Sequence, residues 1–239
     1  MEETANRALH QVYAQFNDNI ELFAPILLGE SYSNPYFISI PEKWFQIDGP
    51  RIMVVGEEGF GTYGCGKGGI PEYRHGLYDI AGIQKLNETY LKIQLGKAEG
   101  TINRSPFWRR FREVAKFGEC CWSNIDKIHR LRERKCSLLS DERELLHSIP
   151  TRILHEEIKI LNPTHIIFFG WYGVSLRHEL PEVSAELYPR GLGDKSLWDR
   201  NVVDILHGNR HYIFSYHPNW GYRNSGYDER VIQVLCSAL

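Results

Sequence analysis

Four short apolar runs constrain this chain more than any other feature. They are Arg51–Gly56 (RIMVVG), Glu119–Ile125 (ECCWSNI), His165–Gly170 (HIIFFG) and His211–Tyr216 (HYIFSY). Each is too short for a helix and is apolar at successive positions, as a strand buried on both faces must be. Helical patterns separate them. A helix is expected over about 79–96. Another opens at Ser105 and Pro106, with Phe107, Phe111 and Val114 on one face. Serine there caps free N–H groups, and proline is tolerated at the first helical position. Around 150–161, Leu154, Ile158 and Leu161 share a face until Asn162 and Pro163 stop the helix. The last helix starts near Ser225 and presents Val231, Val234, Leu235 and Ala238. Strands alternating with helices predict an α/β fold: a three-layer α/β/α sandwich around a central, mainly parallel four-stranded sheet. Val202–Leu206 has the composition of a further short strand.

The remaining composition excludes several classes. With 239 residues, 42% hydrophobic and 24% charged, the chain reads as one globular domain, not a disordered one. Residues 1–50 form a helix to about Phe23 and an irregular extension; residues 51–239 form the core. The net charge of −2 does not announce a nucleic-acid binder, so any basic surface is local. Two basic runs qualify: Arg104, Arg109, Arg110 and Arg112, then Lys127, Arg130, Arg132, Arg134 and Lys135. No apolar run approaches a membrane span, and the charged N-terminal stretch lacks the apolar centre of a signal peptide. The expectation is a cytoplasmic monomer that does not engage membranes. Five cysteines, odd in number and without a CxxC pair, are expected as free thiols and not as a disulfide framework or metal centre.

The loop after the first strand holds two misleading patterns. Gly59–Gly64 (GFGTYG) matches GxGxxG, but CGKGGIP follows where a dinucleotide site needs a helix N-terminus. Gly61 and Gly66-Lys67 approach a P-loop, yet Gly68 stands where a magnesium-binding hydroxyl belongs. A loop over a site is the reading retained.

In open parallel sheets, ligands bind beyond the carboxyl ends of the strands. Those ends carry Gly56 with Glu57, Glu58 and Phe60, then Asn124, then Gly170, then His217. A carboxylate, an amide and an imidazole converging on one crevice are a hydrolase-like set. In this order the set resembles the uracil-DNA glycosylase superfamily. That family's first motif reads GQDPYH or GEAPG, here GEEGFG at 56–61. Its second strand ends in asparagine, here Asn124 of CCWSNI. A strand ending in glycine follows a helix and a proline, as in ILHEEIKILNPTHIIFFG. Its last motif runs into HPS, here YHPN at 216–219. The likeness spans about residues 50–239.

The resemblance implies a DNA glycosylase, acting without metal or cofactor, that hydrolyses the N-glycosidic bond of a base flipped out of single- or double-stranded DNA. It implies that Glu58 or Glu57 positions water and stabilises the sugar cation; both alignments stand. His217 would face the departing base's carbonyl oxygen, and Asn124 would read the base edge, since an amide offers both donor and acceptor. Phe60 stands where GQDPYH has the tyrosine that crowds the base's 5-position. Tyr78, in HGLY, is a candidate stacking ring, and Gly56 opens the base pocket. Ser105 and Arg109 correspond to a DNA-gripping serine-proline segment. Asn219, Trp220, Tyr222 and Arg223 follow the imidazole toward DNA. The family's apolar wedge falls by counting on Gly221, which cannot wedge, so Trp220 or Tyr222 would substitute. The target is then uracil or a bulkier modified base, in repair or in defence against modified foreign DNA such as phage DNA. Two rivals remain: an inactive nucleic-acid- or nucleotide-binding module, and a hydrolase of free nucleosides or nucleotides.

Overall fold

A computed structural model describes residues 2–28, 32, 33, 35, 37–56, 88, 90–92, 94, 105–130, 138–170, 173–187, 202–218 and 227–239. The sheet has five strands: β1 (Arg51–Gly56), β2 (Glu119–Asn124), β3 (His165–Phe169), β4 (Val203–His207) and β5 (Arg210–Ser215), in the order β2-β1-β3-β5-β4. Four are mutually parallel, and β4 adds an antiparallel edge, one strand more than the expected four. The reason is local. His207 and Arg210 pair across a two-residue turn whose first position, Gly208, has φ 62. Glycine reaches that conformation without steric cost, so the hairpin closes and β4 folds back beside β5.

The described helices are α1 (Glu2–Phe23), α2 (Pro106–Val114), α3 (Ser140–His147), α4 (Ile153–Leu161), α5 (Gly173–Glu179), α6 (Pro181–Leu187) and α7 (Tyr227–Ala238). A 3₁₀ turn, Pro25–Leu28, follows α1. The expected caps are in place. Ser105 Oγ accepts from Trp108 N, with Pro106 next in the chain. Asn162 takes a left-handed conformation after α4, with φ 47, which asparagine tolerates better than branched residues. Its carbonyl accepts from Arg51 Nε and its side chain from Arg210 Nη2, tying the helix end to β1 and β5. No described helix is long and apolar enough to cross a membrane.

Strand alternation distributes the helices. On β2, Trp122 stacks on Tyr90 and meets Trp108 of α2 edge to face. His165 of β3 reaches the Ala238 carbonyl of α7. The opposite face takes Ser123, which donates to Glu157 of α4, and α4 in turn receives Tyr13 of α1. The described residues among the first fifty therefore contribute to the core. Ala5, Leu9, Tyr13, Phe16 and Ile20 form the buried stripe of α1, Phe37 stacks on Tyr13, and Trp44 Nε1 donates to the Leu161 carbonyl. Spacings of three and four residues put that stripe on one side of the helix.

Candidate active site at the strand ends

Topology fixes where a crevice can open. From β1 the chain passes through α2 on one face to β2. From β2 it crosses by α4 on the other face to β3, which lies against the far side of β1. β1 and β3 are adjacent, and the chain leaves β1 toward α2 on one face and β3 toward α5 on the other, which leaves room at their carboxyl ends. Gly56 pairs with Asn124 there, at the last rung of β1 and β2. Both are buried.

Close packing explains the glycine. A methyl group on Gly56 would lie 2.8 Å from Asn124 Oδ1 and 3.2 Å from Phe107 Cε2. Any side chain at 56 would displace the amide that the sequence singles out. Phe107, half-buried, turns its ring edge to Phe169 at the end of β3, with centroids 5.4 Å apart. Arg110, one turn along α2, lies 5.2 Å over the Phe169 ring and donates from Nη1 to the Tyr216 carbonyl at 2.9 Å. Tyr216 precedes His217. One helix thus reaches the ends of β1, β3 and β5, and its Trp108 meets Trp122 within β2.

The electrostatics at that edge are particular. Burial, reinforced by the Arg110 cation, pushes the His217 imidazole down to about 4. At neutral pH the ring is uncharged and offers one N–H donor and one acceptor. Arg109 and Arg112, on the outer side of α2, are exposed. With Glu113, Pro218 and Ile232 of α7 they border an open groove of about 240 Å³ along the outside of α2. Among the described residues no three histidine, cysteine, aspartate or glutamate side chains converge as a metal site would need.

Of the residues expected at the site, Gly56 and Asn124 pair at the last rung of β1 and β2, while His217 follows β5 at the same carboxyl edge, with β3 between β1 and β5. Ser105 caps α2, and Arg109 stands on its exposed side. Glu57, Glu58, Phe60, Tyr78, Asn219, Trp220, Tyr222 and Arg223 lie outside the described residues, as do Arg104, Arg132, Arg134 and Lys135.

The second basic run requires correction. Lys127 is 3% exposed and is held by Glu157 Oε2 and Ser123 Oγ, each at 2.6 Å. Arg130 is buried beside Glu142, 3.5 Å away. Neither can meet a phosphate. A lysine and an arginine after a strand end look like surface in sequence, and only their carboxylate partners, far along the chain, reveal otherwise. Arg110 departs from expectation in the same sense: it stands among exposed arginines in the sequence, yet it is buried and shares the core face of α2 with Phe107, Phe111 and Val114. Of the cysteines, Cys120 and Cys121 are buried free thiols and Cys236 is an exposed one; Cys65 and Cys136 lie outside the described residues. The chain matches no protein-family model and none of the curated proteins.

Proposed function

We propose that this protein is a DNA glycosylase of the uracil-DNA glycosylase type, hydrolysing the N-glycosidic bond of a flipped uracil or otherwise modified base. The observation that supports the reading is the placement of Gly56 and Asn124 at the last rung of β1 and β2, with His217 just past β5, all at the carboxyl edge of one parallel sheet. Asn124 offers the donor and acceptor that a base edge requires. As the C1′–N bond breaks, its electron pair leaves with the base, and charge grows on the base's carbonyl oxygen. An N–H donor held at His217 stabilises that charge without first being ionised. The water oxygen then bonds to C1′ and gives its proton to a carboxylate, for which Glu57 or Glu58 follows Gly56 in the chain. The exposed Arg109 and Arg112 beside the groove suit the phosphates of a DNA strand.

One observation favours a second reading. With Lys127 and Arg130 withdrawn into the interior, less of the expected basic surface is left for DNA, and a free nucleoside needs none. A single assay series separates the two. Oligonucleotides carrying uracil, hypoxanthine, xanthine or hydroxymethylated cytosine are incubated without added metal and cleaved with alkali, beside the free nucleosides. Strand breaks support the glycosylase; base release from nucleosides alone supports the second reading; neither leaves a binding module. In an active protein, His217→Gln should lower excision by about a hundredfold or more.

A further inference from the structure

The core face of α2 contains one residue that packing alone would not choose. Phe107, Phe111 and Val114 are spaced as a buried helical stripe, and Arg110 falls between them. It is 2% exposed, while Arg109 and Arg112 on the same helix are exposed. Burying a guanidinium costs several kcal/mol before any partner compensates, and an apolar chain of similar length would fill the same volume at no such cost. What the arginine gains is specific. Nη1 donates to the Tyr216 carbonyl at 2.9 Å, the last peptide before His217, and Cζ lies 5.2 Å over the Phe169 ring at the end of β3. A planar fork on an aromatic face is held in orientation as well as position, which an ammonium is not.

We infer that Arg110 is a positioning residue for His217: it anchors the chain at the end of β5 to α2 and sets a fixed cation beside the imidazole. The inference rests on the proposed chemistry for what His217 does, but the link between the two side chains can be tested without it. Burial lowers the imidazole first, and the neighbouring Arg110 cation, which disfavours a second positive charge, lowers it further. The same cation faces the edge where negative charge gathers as a base departs, and being fixed it needs no rearrangement at that moment. Among the described groups, Arg110 is the one whose charge bears on His217.

The test uses the whole chain and two substitutions that retain polarity. Arg110→Gln keeps a donor for the Tyr216 carbonyl and removes the charge; Arg110→Lys keeps the charge and removes the fork. The His217 ring resonances, assigned with His217→Gln, are followed by NMR against pH. In Arg110→Gln the titration midpoint should move up from the wild-type position; in Arg110→Lys it should stay low. Where excision is measurable, Arg110→Lys should lower kcat by about tenfold or more with KM little changed, because the imidazole is kept neutral but is no longer held in place. Identical His217 midpoints in wild type and Arg110→Gln would overturn the inference, as would a wild-type kcat in Arg110→Lys. Should Arg110→Gln fail to fold, the Arg110→Lys kcat decides alone. A protein inactive on every base, but with the midpoint displaced, would refute the proposed function and leave the Arg110–His217 link standing.

Discussion

Two neighbours on β2, Ser123 and Asn124, point to opposite faces of the sheet and enter different kinds of polar environment. Ser123 joins a sealed network. Its hydroxyl and the Lys127 ammonium both meet Glu157 Oε2, Tyr13 donates to Glu157 Oε1, and the Ile38 amide donates to Tyr13 Oη. Asn124 stands at a strand end against a glycine, with Arg110 and His217 along the same edge. In the sealed network, a buried charge is neutralised by an opposite one from another element. At the edge, the buried Arg110 donates to a carbonyl and lies over a ring, and burial together with that cation lowers the nearby imidazole. Residue type alone does not distinguish the two regions; their place in the fold does.

The largest effect should come from breaking the sealed side. Removing one member of a buried ion pair leaves the other charge uncompensated, which costs about 3–5 kcal/mol. Lys127→Met is expected to lose that much in urea unfolding. Lys127→Met with Glu157→Leu should recover much of the loss, because an apolar pair carries no desolvation penalty. Burial pushes Glu157 up despite Lys127, Ser123 and Tyr13, so the carboxyl is costly to keep charged even when paired. A double variant less stable than Lys127→Met would mean that the hydrogen bonds, not the charges, dominate this network.

Acid should attack both sides together. Burial lowers His129 to about 4, and His217 reaches the same value through burial and Arg110. The folded-state values lie below the unfolded value near 6.5. The stability these neutral rings permit is therefore complete above about pH 6.5, is lost as pH falls toward 4, and changes little below. His165 and His10, also lowered, act in the same direction, whereas the raised Glu157 opposes them. A shift of this size corresponds to roughly 3 kcal/mol for one ring. Unfolding curves between pH 7 and 4 for wild type and His129→Gln should show a shallower acid slope in the variant; parallel slopes would remove His129 from the account.

Much of this arrangement is legible in the chain. Buried parallel strands are apolar at successive positions, so β1, β2, β3 and β5 stand out, and the place of Asn124 at the end of β2 and of His217 just past β5 follows from them. Ser105, Pro106 and Asn162 mark helix limits by capping chemistry that acts within a few residues. Three helices escape. α3, α5 and α6 have only seven or eight residues, and α5 buries Ser175 and Glu179 beside Leu176, so no apolar stripe betrays it. Glu179 faces inward because its carboxylate caps α4, accepting from the Leu154 and His155 amides. Ser175 does so because it donates to Asp126. Arg110, Lys127 and Arg130 illustrate the same limit. A charge is read as surface until its partner is located, and the partners are remote in sequence.

A smaller loss is expected at the outer edge of β2, on the α2 side but away from the strand ends. The Tyr90 hydroxyl donates to the Trp122 carbonyl at 2.6 Å and accepts from its amide at 2.8 Å, while Gln94, one turn on, donates to the Cys120 carbonyl. Two side chains satisfy an edge that another strand would otherwise occupy. Tyr90→Phe keeps the ring on Trp122 and leaves two buried backbone groups without that partner, which should cost about 2–3 kcal/mol. Excision by the folded fraction should be unaltered, since Trp122 is two residues from Asn124. A large loss of excision in Tyr90→Phe would show that the edge and the site are coupled through β2.

Gly56→Ala should be the mildest in stability and the most informative about function. The added methyl meets one side-chain oxygen and one ring edge, at 2.8 and 3.2 Å. The Asn124 amide can turn away, so the cost should fall at the lower end of the roughly 1–3 kcal/mol typical of overpacking. That turn is what matters. An amide reads a base only when its donor and acceptor are aimed, and a displacement of about 1 Å can cost a hundredfold in rate. Excision should therefore drop far more than unfolding predicts, whereas Lys127→Met should show the reverse, lost stability with normal excision by the molecules that remain folded. If Gly56→Ala loses excision only in proportion to its folded fraction, the glycine is a packing residue and the carboxyl end of β1 does not belong to the site.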